Sequence, residues 1–512
     1  MENPMNKLPG FEGLPEEIYN HPGIEEREPT PRLKEINRNQ LLLRPVDVEN
    51  LVPADHDVRA IWEITGSIDL TPYYKGIKAV EGKPGSTAFD PRLLISVWVY
   101  SYSKGMGSAR EISERIGYDP AYQWLTGMEP INYHTLSDFR SMHKDALHEL
   151  FVNILAVMES AGLITLENVM HDGVKVKANA GSDSFRREVK LRTHLATAEE
   201  HVKHLEESSE ADIKEQKARQ RAARERKERV EKALSELDTI RQTKSSLEDK
   251  KNARASMTDP DARIMKFSGG GYSPGYNVQI STDSANTIIV AADVSQRCDD
   301  YRELIPAADR IEENTRKAPS QMTADGGFTS RANIIAMDGR CIDFIGSLQE
   351  RNSRGQFERR HVDVAFHSEH FVYDRGADTY LCPQGKALTY TSKEEKYIGK
   401  TNFMYRASRE DCRSCPSKEK CSPGTSRRSI VRMVDDPRIA AFIEKMETDE
   451  AKAIYRKRGA IAEFPNAWIK DKLGFRQFHL RGLLKVGMET LWACITYNIQ
   501  QWIRLVWRPQ AA

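Results

Sequence analysis

The sequence has no long hydrophobic run. Its longest mostly apolar stretch, around Leu93–Tyr100, is far short of the roughly 20 residues that cross a bilayer, so no membrane span is expected. It also has no excess of either charge: 76 Lys and Arg face 75 Asp and Glu, a net charge of +1. Any attraction to a polyanion must therefore come from local basic patches. Met1–Pro9 is polar and lacks the apolar core of a secretory signal. Cysteine is scarce, 7 residues in 512. That count, without an export signal, points to a reducing cytoplasm and excludes a disulfide scaffold. Disorder throughout is excluded as well, because 39% of the residues are hydrophobic and the net charge is near zero.

What is present divides the chain. At about 150 residues per domain, the length predicts three or four domains. Residues 1–50 read as an extended, proline-containing lead-in. Residues 51–160 are helical in pattern, with Leu93, Leu94, Val97 and Trp98 at helical spacing and Asp90-Pro91 as a start signal. Short helices with basic faces suit either a helix-turn-helix DNA reader or an all-helical packing domain. Residues 161–183, 258–348 and 450–512 alternate strand and helix, an α/β pattern around one mixed sheet. Two insertions interrupt it. In 184–257, apolar seams from Leu191 to Leu205 and from Val230 to Ile240 flank a break at Ser208–Asp212. They read as an antiparallel helical hairpin or one long coiled-coil helix. Insertion 349–449 carries four of the cysteines. The closing helix is expected over Phe478–Trp507, with Leu480, Leu483, Leu484, Leu491 and Ile495 on one face.

Three acids stand out by context. Asp172 lies late in an apolar strand, Asp325 where a strand runs into Gly326 and Gly327, and Glu463 on a helix over Glu450–Lys470. A glycine after the acid lets a ligand approach the backbone, although an Asp-Gly pair alone is an ordinary turn. Together, the three suggest a carboxylate cluster, which cations must neutralise. Hard oxygen donors favour Mg2+ or Mn2+, and two such ions suit a phosphodiester. Glu463 and Lys470 are two helical turns apart and share a face.

These motifs in this order resemble a DDE-type transposase of a bacterial insertion sequence. The branch has a Tyr-Arg-Glu-Lys motif on its last catalytic helix. His171-Asp172-Gly173 resembles the first catalytic aspartate, Ala324-Asp325-Gly326-Gly327 the second, and Tyr455, Arg458, Glu463 and Lys470 the motif itself. The stretch Asp90–Arg140 resembles the family's helical N-terminal domain, and Cys382 with the Cys412–Cys421 cluster its cysteine-bearing insertion. The resemblance implies an RNase-H-like catalytic domain. Asp172, Asp325 and Glu463 would hold two Mg2+ or Mn2+ ions. They would cut double-stranded DNA at transposon ends and join it to target DNA, in a homodimer or larger synaptic complex on the bacterial nucleoid. The alternative is an inactive, transposase-derived DNA-binding protein. One departure from the motif stands out. Four residues separate Arg458 from Glu463 where the family has three, and Arg456, seven before Glu463, shares its helical face. Tyr455, Arg456, Arg458 and Lys470 are the candidate phosphate contacts.

Two further features stay open at this level. Cys382, Cys412, Cys415 and Cys421 supply enough ligands for a tetrahedral zinc, or are four plain thiols. The run 214–229 has eight basic and three acidic residues and reads as a DNA-backbone contact or a solvated hairpin tip.

Overall fold

The structure is a computed structural model that describes residues 39, 41, 45–77, 79, 87–207, 213–348 and 359–508. Most of the lead-in and the break at Ser208–Asp212 lie outside the described residues. No helix among the described residues is long and apolar enough to cross a membrane.

Seven helices come first: α1 (Asp57–Gly66), α2 (Thr71–Tyr74), α3 (Pro91–Ser103), α4 (Ala109–Ile116), α5 (Pro120–Thr126), α6 (Tyr133–Met142) and α7 (Lys144–Ser160). Their starts follow capping chemistry. Asp90 accepts from Arg92 N at 2.8 Å, with Pro91 in the first turn, and Asn132 accepts from His134 N at 2.8 Å. Helix α3 is buried from Leu94 to Tyr102, more completely than a one-faced helix. It lies inside the core and does not cover it.

The mixed sheet begins with β1 (Asn168–Lys177). The first insertion follows, with β2 (Phe185–Arg186), α8 (Glu188–Glu207), α9 (Ile213–Gln242), α10 (Leu247–Asn252) and β3 (Ala255–Ser256). The sheet resumes with β4 (Arg263–Lys266), β5 (Tyr272–Asp283) and β6 (Ile288–Ser295). Helix α11 (Leu304–Thr315), β7 (Gln321–Ala324), α12 (Arg331–Asp338) and β8 (Asp343–Ile345) complete it. The order across the sheet is β4-β5-β1-β7-β8, with β6 also paired to β5. Strand β5 is antiparallel to β4, β6 and β1, whereas β1–β7 and β7–β8 are parallel.

Helices α8 and α9 run antiparallel: Glu188 pairs with Arg241, Glu199 with Lys227 and Glu206 with Arg224. The first insertion is thus the hairpin and not a single helix. Leu191, Ala233, Leu237 and Ile240 form its core, and β2 pairs with β3 to close its base.

The second insertion forms its own antiparallel sheet, β9 (Val372–Asp374), β10 (Thr379–Leu381), β11 (Ala387–Tyr397), β12 (Lys400–Ala407) and β13 (Ser429–Asp435). Short helices α13 (Arg409–Arg413) and α14 (Lys418–Cys421) lie between β12 and β13. Helices α15 (Pro437–Met446), α16 (Asp449–Asp471) and α17 (Leu483–Trp502) end the chain.

The last helix begins later than its apolar pattern suggests. Buried Glu489 captures the amides of His479 and Leu480, and Gly482 adopts φ +85°, so regular helix starts at Leu483. Nor is it one-faced. Leu484 is exposed, while Val486, Trp492, Ala493, Cys494, Ile495 and Ile499 are all buried. Helix α17 runs between the sheet and helices α3 and α7 within one continuous hydrophobic core. Buried Asn498 clamps it to edge strand β6, accepting from Ile289 N at 2.9 Å and donating to Ile289 O at 2.8 Å. Asn498→Ala leaves both backbone groups buried without partners. The expected loss is about 2–4 kcal/mol, read as a lower denaturation midpoint at unchanged slope. A variant within about 0.5 kcal/mol of wild type would show that the clamp contributes nothing.

Candidate active site

The site starts from one register. Strands β1 and β7 are parallel, with His171 opposite Ala324, so the next residues, Asp172 and Asp325, leave that pairing side by side. Asp172 is the fifth residue of the ten-residue β1, mid-strand and not late in it. It sits where its neighbour β7 stops. Asp325 opens the turn after β7, where its Oδ1 accepts from Gly327 N at 2.7 Å.

The glycine after Asp172 has an internal cause and is not an opening for a ligand. A Cβ at Gly173 would stand 2.8 Å from Asp300 Oδ1 and 2.9 Å from Gln279 Nε2. Asp300 is a further carboxylate at the site, and sequence reasoning missed it. Its Oδ1 accepts from Asn277 Nδ2 at 2.6 Å and from Gln279 Nε2 at 3.2 Å. Its Cβ is 3.9 Å from where one on Gly327 would lie. His171 points into the β1–β5 pair, between Ser281 Oγ and Gln279 Oε1, both at 2.9 Å. Burial pushes its imidazole down to about 4, so it is a neutral structural group.

Helix α16 brings the rest. Asn466 Nδ2 donates to Asp172 Oδ2 at 3.0 Å. Three residues away, Glu463 is close enough to bear electrostatically on Asp172. Arg458, not Arg456, faces the acids. Its guanidinium is 4.0 Å from Glu463 Oε1, and its side chain is only 18% exposed. Arg456 is exposed on the outer surface. Arg458 reaches Glu463 although the two are five residues apart on the helix, because an arginine side chain spans more than one helical turn. Tyr455 lies beneath Arg458, with its ring centroid 5.8 Å from the guanidinium carbon. Lys470 is half-buried; burial lowers its pKa, and Asp172 is the charge that most opposes this.

Burial, opposed by Arg458 and reinforced by Asp325 and Glu463, pushes the Asp172 carboxyl up to about 6. Among the described residues, no group of three or more His, Cys, Asp or Glu side chains is arranged to hold a metal ion. The donors nevertheless suit a hard cation. They are all oxygens, and Asn466 Oδ1, beside Asp172, is buried without a hydrogen-bond partner.

Four of the eight basic residues in the run on α9 pair with acids of the hairpin. Arg219 pairs with Glu215, Arg221 with Glu225, Arg224 with Glu206, and Lys227 with Glu199 and Glu231. It lies along the arm, after the break, and much of it meets acids of its own hairpin. The four cysteines Cys382, Cys412, Cys415 and Cys421 all border one small cavity in the second insertion.

Two family models match the chain. Residues 381–503 match one described as "Transposase DDE domain", and residues 46–142 match one described as "Transposase domain (DUF772)". The first covers Glu463, Asn466 and the four cysteines; the second covers α1–α6. Asp172 and Asp325 lie between them. No curated protein and no solved structure matches the chain. The two matches support a DDE-type transposase of an insertion sequence.

The raised Asp172 pKa has a direct consequence for stability. Ionised Asp172 is disfavoured in the fold relative to the unfolded chain, so its penalty is absent below about pH 4 and complete above about pH 6. In metal-free protein, Asp172→Asn removes that penalty. It should raise the thermal midpoint at about pH 8, by the equivalent of about 1–3 kcal/mol, and leave it unchanged near pH 4. Equal midpoints for variant and wild type at both pH values would contradict a raised Asp172 pKa.

Proposed function

We propose that this transposase cuts DNA at the ends of its insertion sequence and joins the freed 3′ ends to target DNA. The reading treats the mixed sheet as an RNase-H-like catalytic domain. The observation that carries it is the β1–β7 register, which sets Asp172 beside Asp325 under the helix bearing Glu463. Asp172, Asp325 and Glu463 would hold two Mg2+ or Mn2+ ions, with Asn466 as a neighbouring oxygen donor. When bound, such ions activate water for hydrolysis and stabilise the leaving 3′ oxygen.

This chain's own residues do the remaining work. Asp172 must lose its proton before it ligates, so competence rises with pH through about 6. Arg458 offsets the acids' mutual repulsion, and a scissile phosphate offers it a second anionic partner. Lys470, whose charge bears on Asp172, holds the same strand from the other end of the helix. Asp300 and Asn277 brace the wall behind Gly173. Double-stranded DNA is the substrate, and a homodimer or larger assembly holds the paired ends.

Nicking of a labelled transposon end in Mg2+ tests the reading. Asp172→Asn, Asp325→Asn and Glu463→Gln should each slow nicking and strand transfer by on the order of 1,000-fold, with end binding retained. A wild-type rate in any one of them removes that residue from the site. If wild-type protein binds ends yet neither nicks nor joins them, it is an inactive DNA-binding descendant.

The two arginines separate in the same assay. Arg458→Gln should lower the nicking rate by on the order of 10- to 100-fold, in line with a lost charge-assisted contact of about 1.5–3 kcal/mol. Arg456→Gln should leave the rate within about twofold. The reverse ranking would assign the phosphate to Arg456.

A further inference from the structure

We propose that Cys382, Cys412, Cys415 and Cys421 form a structural zinc site that holds the second insertion together. The inference does not rest on the carboxylate site.

The first observation is convergence from separate segments. Cys382 follows β10, Cys412 lies in α13, Cys415 lies between the two short helices, and Cys421 ends α14. About thirty residues separate the first from the rest, yet all four border the same small cavity, walled by Phe366, Leu388 and Ala407.

The second observation is the backbone at the sulfurs. Cys382 opens a tight turn in which Gly385 N donates to Cys382 O at 2.8 Å and Cys382 N donates to Lys386 O at 2.9 Å. Gly385 takes φ +73°, which a side chain would strain. The turn aims Lys386 N at Cys382 Sγ, at 3.3 Å, and Arg428 N reaches Cys412 Sγ at 3.5 Å. An amide aimed at sulfur stabilises a thiolate, the form that binds metal. Lys386, Lys418 and Arg428 line the cavity together with one acid, Asp411, which pairs with Lys386 at 3.5 Å, so the balance of charge around it is positive.

The third observation is the size of the local core. Among the described residues, the insertion's own cluster has five buried residues, Phe371, Leu388, Tyr405, Ala407 and Ile430, with Tyr373, Tyr380, Phe403, Cys382, Cys412 and Cys421 packed against them. A core this small ordinarily needs a metal or a crosslink. All seven cysteines are free thiols. As they stand, no three of the four are arranged around an ion. Neutral thiols have no shared charge to gather round, so the closed set forms with the metal. Four sulfurs fill a tetrahedral zinc completely, which leaves no position for water and makes the site structural.

Elemental analysis of full-length protein, purified under reducing conditions and dialysed against zinc and then metal-free buffer, tests this. About one zinc per chain is expected, lost in the Cys412→Ser, Cys415→Ser double variant and retained in Cys341→Ser. Should the double variant fail to fold, cobalt substitution of the wild type decides independently. Tetrahedral thiolate ligation gives sulfur-to-cobalt charge-transfer absorption, which cobalt on carboxylates lacks. Zinc near zero, cobalt spectra without that absorption, or zinc lost in Asp172→Asn but kept in the cysteine variant would each overturn the proposal. So would a disulfide among the four in freshly reduced protein.

Discussion

The parallel pairing of His171 with Ala324 places Asp172 and Asp325 on neighbouring backbones at the point where β7 ends. Two carboxylates so placed repel, and burial adds to the penalty on the charged form. The surrounding residues compensate. Arg458 reaches forward along α16 to set a guanidinium near Asp172 and Glu463, and Asn466 donates to Asp172 at 3.0 Å. Asp172 remains hard to ionise, with a pKa of about 6. A site in that condition is poised for cations, whether arginine or metal.

Much of this was legible in the sequence. The strands showed through their apolar pattern, and the strand that runs into Asp325 is β7, because strands buried on both faces read as short apolar runs bounded by turns. Asp172 and Asp325 were visible because each interrupts or ends such a run, and Glu463 because of its place on a helix. The choice between Arg456 and Arg458 stayed open because a helical wheel treats side chains as points, whereas arginine extends along its helix. Gly173 was misread because its crowding comes from Asp300 and Gln279, distant in sequence. Asp300 and Asn466 went unnoticed for the same reason. Their roles arise from packing between segments, and nothing local distinguishes them from any other polar residue at a helix start or on a helix face.

Charge composition along one helix gives only part of the hairpin's balance. The excess of basic residues on α9 is real, but α8 supplies acids opposite it, at Glu199 and Glu206. A run counted along one helix ignores the partner helix. The closing helix fails in the opposite sense. Its leucines suggested one apolar face, but small and aromatic residues bury nearly the whole circumference, because α17 is enclosed on several sides.

That enclosure has a mechanical consequence. Helix α17 shares one continuous core with α3 and α7 on one side and with strand β6 on the other, where Asn498 fastens it to Ile289. No hinge separates the helical block from the sheet along this path, since close-packed interiors transmit displacement with little give. Whatever the helical block grips is therefore held at a constant offset from the carboxylates. The helix acts as a ruler: the distance from the helical block to Asp172 is set by side-chain packing, and not by the reach of a flexible tether.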